Sequence, residues 1–396
     1  MTEPNKSVDY GRPLLPVDRE MFGSAAAAKA LNMLRLHPSY RATPLRELHG
    51  LAASVGIQSV HIKDESGRFG LGSFKSLGGA YAVVCLALEE ASRVLGRAVS
   101  ASELLDPDVR AVLRKIDVGC ATDGNHGRSV AAGANLAGCR ANIFVHKGVS
   151  PERVAAIARF GANVIEVVGN YDDAVAEAER VCHANGWIIV SDTSWPGYER
   201  IPRLVMQGYT VMVSEILAEL PQPPTHVFLQ AGVGGFAAAM AASLTLEGGG
   251  ARPRFIIVEP DRAACLFASN AAGAPVKIAP VEPTVMAMLE CYEPSMLAWG
   301  ILSRLADAYM TVRDSDAIAA MKQLAIGENG KKGVVAGESG GAGLAGLLSA
   351  CVDPRSRELI GLNAHSRVLL FNTEGATDPE IYRSLTGIDP GVLEPA

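Results

Sequence analysis

Short β-branched and apolar runs alternate along this chain with longer, alanine-rich stretches of helical period. The runs fall at 59–63, 118–121, 141–145, 163–167, 187–190, 226–229, 255–258 and 367–371. Each is strand-sized, and most of the intervals can hold a crossover helix, so the pattern predicts an α/β fold with largely parallel sheets. The polar stretch 96–117, with Leu104, Leu105, Val109 and Leu113 spaced along it, predicts a peripheral helical insertion. Glycine supplies 41 of 396 residues, above the roughly 7% average, and clusters where strands give way to helices. In open α/β sheets those turns are where ligands bind.

At 396 residues the prior is about two domains with room for a large core. Charge then narrows the function. Lys+Arg 36 against Asp+Glu 42 leaves −6, and no basic run tracks a phosphate backbone, which disfavours nucleic acid. Residues 1–16 lack the basic start and apolar middle of a secretory signal. The most apolar long stretch, 227–244, contains Gln230 and three glycines. It reads as a buried strand and helix rather than a membrane span. Seven cysteines without a C-x-x-C pair carry no common zinc or dithiol signature, and no metal is expected; the expected compartment is the reducing cytoplasm.

Five strand-to-helix junctions carry candidate chemistry. In Lys63-Asp64-Glu65-Ser66-Gly67-Arg68-Phe69-Gly70-Leu71-Gly72-Ser73-Phe74-Lys75, Ser73 is a candidate N-cap, which puts Lys75 in a first helical turn. The helix dipole and the apolar Phe69, Leu71, Phe74 and Leu77 would both favour the neutral amine, a setting for a Schiff-base lysine. The plainer alternative is an exposed lysine whose stem covers apolar surface. Cys120-Ala121-Thr122-Asp123-Gly124-Asn125-His126-Gly127-Arg128 again opens a helix, whose free N–H groups suit a carboxylate; Asp123 could serve there simply as N-cap.

Leu229-Gln230-Ala231-Gly232-Val233-Gly234-Gly235-Phe236-Ala237 is a glycine turn suited to a phosphate. It also matches G-x-G-x-x-A with Glu259 ending the next strand, the dinucleotide pattern of a nicotinamide oxidoreductase. Gly337-Glu338-Ser339-Gly340-Gly341, after a short strand at 333–336, matches G-x-S-x-G with Asp353 and His365 in hydrolase order. The flanking glycines suit a ligand-binding loop equally well. Last, Asn372-Thr373-Glu374-Gly375-Ala376-Thr377-Asp378 ends a buried strand on polar side chains.

In this order the junctions resemble the fold-type II pyridoxal-phosphate enzymes, which include threonine dehydratase, serine racemase and cysteine synthase. Within that group the runs KDESGRFGLGSFKSLGGAYAV, ATDGNHGR, SDTSWPGYERIP, QAGVGG, EPTVMAMLECYEP, GESGGAGLAGL and NTEGATDP look like the diaminopropionate ammonia-lyases, over about residues 45–378. The resemblance implies two open, twisted, mostly parallel α/β domains with pyridoxal 5'-phosphate between them. We place the large domain at 1–94 plus 187–396 and the small one at 95–186. It implies Lys75 as the lysine bonded to the cofactor, Asn125 on its phenolic oxygen, and Gly232, Val233, Gly234 and Gly235 on its phosphate. Thr373, ahead of Asn372, would face the pyridine nitrogen, with Phe74 and Glu338 completing the cofactor set.

The activity implied is elimination of 2,3-diaminopropionate to pyruvate and two ammonia, with dehydration of a serine or threonine type as the alternative. Lys75 would deprotonate the L isomer and Asp123, where threonine dehydratases carry serine, the D isomer. Asp123, Gly124, Asn125, His126 and Asp192 would hold the substrate. An anion there would bind the β-amine as the cation that leaves. Ser129 after Arg128, and Ala131-Ala132-Gly133 without an aromatic residue, depart from the family pattern. A homodimer is implied, and whether Cys265 and Cys291 pair stays open.

Overall fold

The computed structural model describes residues 1–122, 124–250, 252–328 and 333–392. In chain order its strands are β1 (Thr2–Pro4), β2 (Leu45–Glu47), β3 (Ser59–Asp64), β4 (Asp117–Ala121), β5 (Arg140–His146) and β6 (Asn163–Val167). There follow β7 (Ile188–Ile189), β8 (His226–Gln230), β9 (Arg254–Pro260), β10 (Ala306–Val312) and β11 (Arg367–Asn372). They form a seven-stranded sheet of order β1-β10-β9-β8-β11-β3-β2 and a four-stranded sheet of order β6-β5-β4-β7. The smaller sheet is parallel throughout, and in the larger only the three-residue edges β1 and β2 run antiparallel. The α/β expectation with largely parallel sheets holds.

All eight strand runs of the pattern are strands, and β1, β2 and β10 are additional. The Met296–Leu305 helix passes into β10 at Ala306 with no intervening loop, so nothing in the sequence punctuates that junction. The run 333–336, read as a short strand, is chain outside both sheets, pinned where Asn372 Nδ2 donates to the Val335 carbonyl at 2.9 Å. In the 96–117 stretch the helix expected there spans Pro107–Leu113.

The chain divides into two compact units, Met1–Ala26 with Ala42–Gly67 and Met212–Ala396, and Ala27–Arg41 with Arg68–Val211. Residues 27–41, 68–94 and 187–211, which our sequence division gave to the large domain, lie in the second unit. The physical reason is the Lys75–Leu95 helix, which packs along the Asn125–Ala137 helix of that unit.

In the first unit β8 is buried along its whole length, as expected for a central strand covered on both faces. Phe228, Ile256, Val258, Met310 and Leu370 meet Leu344 and Leu347 of the Ala342–Val352 helix in one core. Burial of each such side chain contributes about 1.5–3 kcal/mol. A Cβ at Gly346 would stand 2.7 Å from Val258 Cγ2, so the glycine sets how closely helix and sheet approach. At the end of β9, Glu259 is wholly buried and accepts the N–H groups of Leu266 and Phe267 at 2.8 and 2.7 Å. It thereby caps the Cys265–Ala272 helix, whose own N-cap, Ala264, has no side chain to offer. Burial pushes the Glu259 carboxyl up to about 8, against the opposing pull of these two N–H groups.

In the second unit the two long helices meet backbone to backbone. A Cβ at Gly133 would lie 2.6 Å from Ala80 Cα, and one at Gly79 2.6 Å from Ser129 Oγ, which itself accepts Ala80 N–H at 3.0 Å. This contact accounts for the departures at 129–133: Ser129 bonds the facing helix, and Gly133 lies where it leaves no room for an aromatic ring. No helix among the described residues is long and apolar enough to cross a membrane.

Three outcomes follow from this packing. Gly133→Ala is expected to lower unfolding free energy in urea, because overpacking costs about 1–3 kcal/mol against at most about 1 kcal/mol gained in helix propensity. Gly300→Ala, in a helix with nothing within 4 Å of the added methyl, should raise it instead. For Glu259 the folded-state carboxyl titrates above its unfolded value, so its contribution is complete below about pH 4.5 and is lost as pH rises through about 8. Wild-type stability should therefore fall between pH 5 and 8 by more than that of Glu259→Gln, with a difference on the order of a few kcal/mol in denaturation at the two pH values.

Candidate functional site

Lys75 is the first residue of the Lys75–Leu95 helix, as expected. Phe74 occupies the N-cap position in a helical conformation, and the Ser73 hydroxyl accepts the Lys75 N–H at 3.3 Å. The approach is bent: Gly70 and Gly72 have φ of 69° and 72°, and Phe69, with φ 52°, takes a left-handed conformation that bulky residues rarely adopt. Phe69 is held there against His37, with ring centroids 4.7 Å apart, while Phe74 packs on Tyr209 at 4.8 Å.

The apolar surround expected for the amine is incomplete, because Lys75 Nζ donates to Asp192 Oδ2 at 2.8 Å. Asp192 stands in the S-D-T-S-W-P-G-Y loop. There Tyr198 OH donates to the Ile189 carbonyl at 2.7 Å, accepts Ser191 N–H at 3.0 Å, and stacks its ring on Trp195. Burial alone would raise the Asp192 carboxyl, but the Lys75 ammonium, through its charge and its hydrogen bond, holds it well below the usual carboxylate range. His126 is buried, and its Nε2–H donates to the Val190 carbonyl at 2.7 Å. That bond leaves Nδ1 as the acceptor nitrogen, 3.9 Å from Asp192 Oδ2. Burial, reinforced by the Lys75 charge, lowers the His126 pKa and keeps the ring neutral despite Asp192 and the Val190 hydrogen bond.

Asp123 lies outside the described residues. The turn around it is capped by Thr122, whose Oγ1 accepts the N–H groups of Gly124 and Gly127, both at 3.0 Å. Sequence reasoning missed Thr122; its place before D-G-N-H-G, with glycines two and five residues on, was the available signal. Gly124 has φ 147°, which favours glycine, and Asn125 Oδ1 accepts from Arg128 Nη2 at 2.8 Å. With its oxygen so engaged, Asn125 presents its amide nitrogen as the donor end.

In the other unit, Gly234 is the N-cap and Gly235 the first residue of the Gly235–Glu247 helix, so their N–H groups have no acceptor within that helix. Gly232 and Gly234 leave no room for a side chain. Gly234 has φ 95°, and a Cβ at Gly232 would stand 2.8 Å from Cys291 Sγ. Cys265 Sγ lies 3.7 Å from the Gly232 carbonyl, and both cysteines are thiols. Gln230, a second residue sequence reasoning passed over, donates from Nε2 to Thr373 Oγ1 at 3.1 Å. Asn372 Nδ2 is engaged with Asp64 and Val335, so of these two neighbours Thr373 is the one with a hydroxyl to offer. Glu338 is buried in the turn before the Ala342–Val352 helix.

Two competing readings lose their residues here. Glu259 is committed to capping a helix, which removes the ribose carboxylate of the dinucleotide pattern. Ser339 accepts Met288 N–H at 3.2 Å, Asp353 caps the Pro354–Ile360 helix, and His365 is exposed, so no hydrolase triad forms. The groups that remain in each unit suit pyridoxal phosphate: in the first a glycine-rich amide turn for a phosphate and a buried hydroxyl for a ring nitrogen, in the second an amide donor and a primary amine at a helix start.

Comparison with known proteins agrees. The profile described as pyridoxal-phosphate dependent enzyme matches residues 36–373. Diaminopropionate ammonia-lyase of Escherichia coli K12 is 37% identical over 371 residues, 92% of each chain, and that of Salmonella typhimurium is 36% identical over 93% of this chain and 95% of its own. The crystal structure of the Escherichia coli enzyme with D-serine matches with TM-score 0.87 at 35% identity, covering 98% of this chain and 96% of that one. A threonine deaminase from Solanum lycopersicum, 20% identical with TM-score 0.71, shares the fold. The chain thus belongs to the pyridoxal-phosphate dependent enzymes, in the diaminopropionate ammonia-lyase family.

Proposed function

We propose that this protein eliminates both amino groups of 2,3-diaminopropionate, with uptake of one water, to give pyruvate and two ammonia. The observation that carries the reading is identity to diaminopropionate ammonia-lyases over nearly the whole chain. It is supported by the acid that this sequence sets beside Lys75. When bound, pyridoxal phosphate supplies an electron sink for the charge left at the substrate Cα.

The chain's own residues do the rest. The 232–235 amides would bind the phosphate, Asn125 Nδ2 would donate to the phenolic oxygen, and Thr373 would donate to the ring nitrogen. Lys75 would hold the cofactor through Nζ, and its free amine would take the Cα proton of the L isomer. Asp192 takes the β-ammonium as counter-ion, in the place that Lys75 Nζ holds beside it here. An anion at that point favours the protonated leaving group, since an amine departs far more readily as the ammonium form. A serine or threonine hydroxyl has no such cation to offer. His126 places a neutral acceptor beside Asp192, and Asp123 is assigned the Cα proton of the D isomer. A homodimer working in the cytoplasm completes the proposal.

Two measurements test it. Borohydride treatment of the yellow holoprotein should fix the cofactor on Lys75 in peptide mass spectra, and Lys75→Ala should lower turnover of diaminopropionate by at least about a thousandfold. Fixation elsewhere, or serine turned over better than diaminopropionate, would overturn the assignment. Asp123→Asn should abolish pyruvate formation from the D isomer while L turnover persists; equal loss on both isomers would give Asp123 a general binding role.

A further inference from the structure

Gln230 closes β8 immediately before the glycine turn, with its side chain almost wholly buried. Its Nε2 lies 2.8 Å from the Gly340 carbonyl oxygen, 2.9 Å from that of Phe371 and 3.1 Å from Thr373 Oγ1. Two of these three neighbours can only accept, so the amide must turn its nitrogen, not its oxygen, toward all of them. Its Oε1 is buried without a hydrogen-bond partner, on the side where Gly343 leaves room; a Cβ at Gly343 would be 3.0 Å from that oxygen.

An amide nitrogen has no lone pair to give. The Thr373 hydroxyl therefore cannot donate to Gln230, and its hydrogen has to be directed elsewhere. We propose that Gln230 is a positioning residue that fixes Thr373 as a hydrogen-bond donor toward the cofactor's ring nitrogen, and so keeps that nitrogen unprotonated. This rests on the reading above that Thr373 faces the ring. Two neutral side chains do the work: Gln230 sets the direction of the hydroxyl, and the hydroxyl occupies the nitrogen lone pair that a proton would otherwise take.

Gln230→Glu keeps the shape and replaces Nε2 with an oxygen whose lone pair can accept the Thr373 hydrogen. The test is the ¹⁵N resonance of pyridoxal phosphate labelled at the ring nitrogen, together with cofactor affinity by equilibrium dialysis. Wild type should show a neutral, hydrogen-bonded pyridine nitrogen. Gln230→Glu should move that resonance and weaken cofactor binding about tenfold, the loss of one hydrogen bond. Thr373→Val should move it as well. If Gln230→Glu leaves resonance and affinity as in wild type while Thr373→Val shifts them, the role of Gln230 is overturned. If Thr373→Val has no effect on the resonance, the underlying placement of Thr373 fails instead. Should far-UV circular dichroism show Gln230→Glu unfolded, Gln230→Met, which has no N–H, decides on the same resonance. A protonated ring nitrogen in wild type overturns the proposal outright.

Discussion

The second unit depends on two helices that touch through their main chains. Gly79 and Gly133 remove the side chains that would hold the Lys75–Leu95 and Asn125–Ala137 helices apart, and Ser129 ties one to the other by accepting Ala80 N–H. Interiors packed at crystal density leave little freedom once such a contact is made. The start of one helix carries Lys75 and that of the other carries Asn125 and His126, so the register of this contact governs where the amine, the amide and the imidazole stand. Asp192 arrives from a separate loop, and its position is secured by the Tyr198 bonds and the Trp195 stack rather than by the helices.

Much of this was legible because local patterns and the fold agree. Eight strand runs, Lys75 at a helix start and the glycine turn at 232–235 all follow from periodicity and from where glycine falls. What escaped notice is non-local. Gln230 looks like an interruption of an apolar strand, and only the arrival of Gly340, Phe371 and Thr373 from more than a hundred residues away gives its amide a purpose. Thr122 was hidden by its neighbour, since an aspartate before a helix is the more familiar capping residue. Glu259 misled for the opposite reason: an acid ending the strand after a glycine turn satisfies a known motif, yet here it serves a helix whose first residues lack a cap of their own.

The site chemistry shares a preference for neutral or exactly paired groups. In the second unit His126 is held neutral by burial, and the one strong anion described beside the amine, Asp192, is paired with Lys75; in the first unit Thr373 and Gln230 carry no charge. On the reading proposed above, an amino acid that brings its own second cation would keep Asp192 paired, whereas one bearing a hydroxyl would not.

The junction at Leu305 and Ala306 has a different kind of consequence. Because a helix there becomes a strand without a spacer, an added or deleted residue would have to be taken up at the irregularity in the β10–β9 pairing between Ala306 and Ala308, or else turn β10 over and exchange the faces to which Tyr309 and Met310 point. Length variation among descendants of this gene should therefore collect at joints such as 220–225, and spare this one.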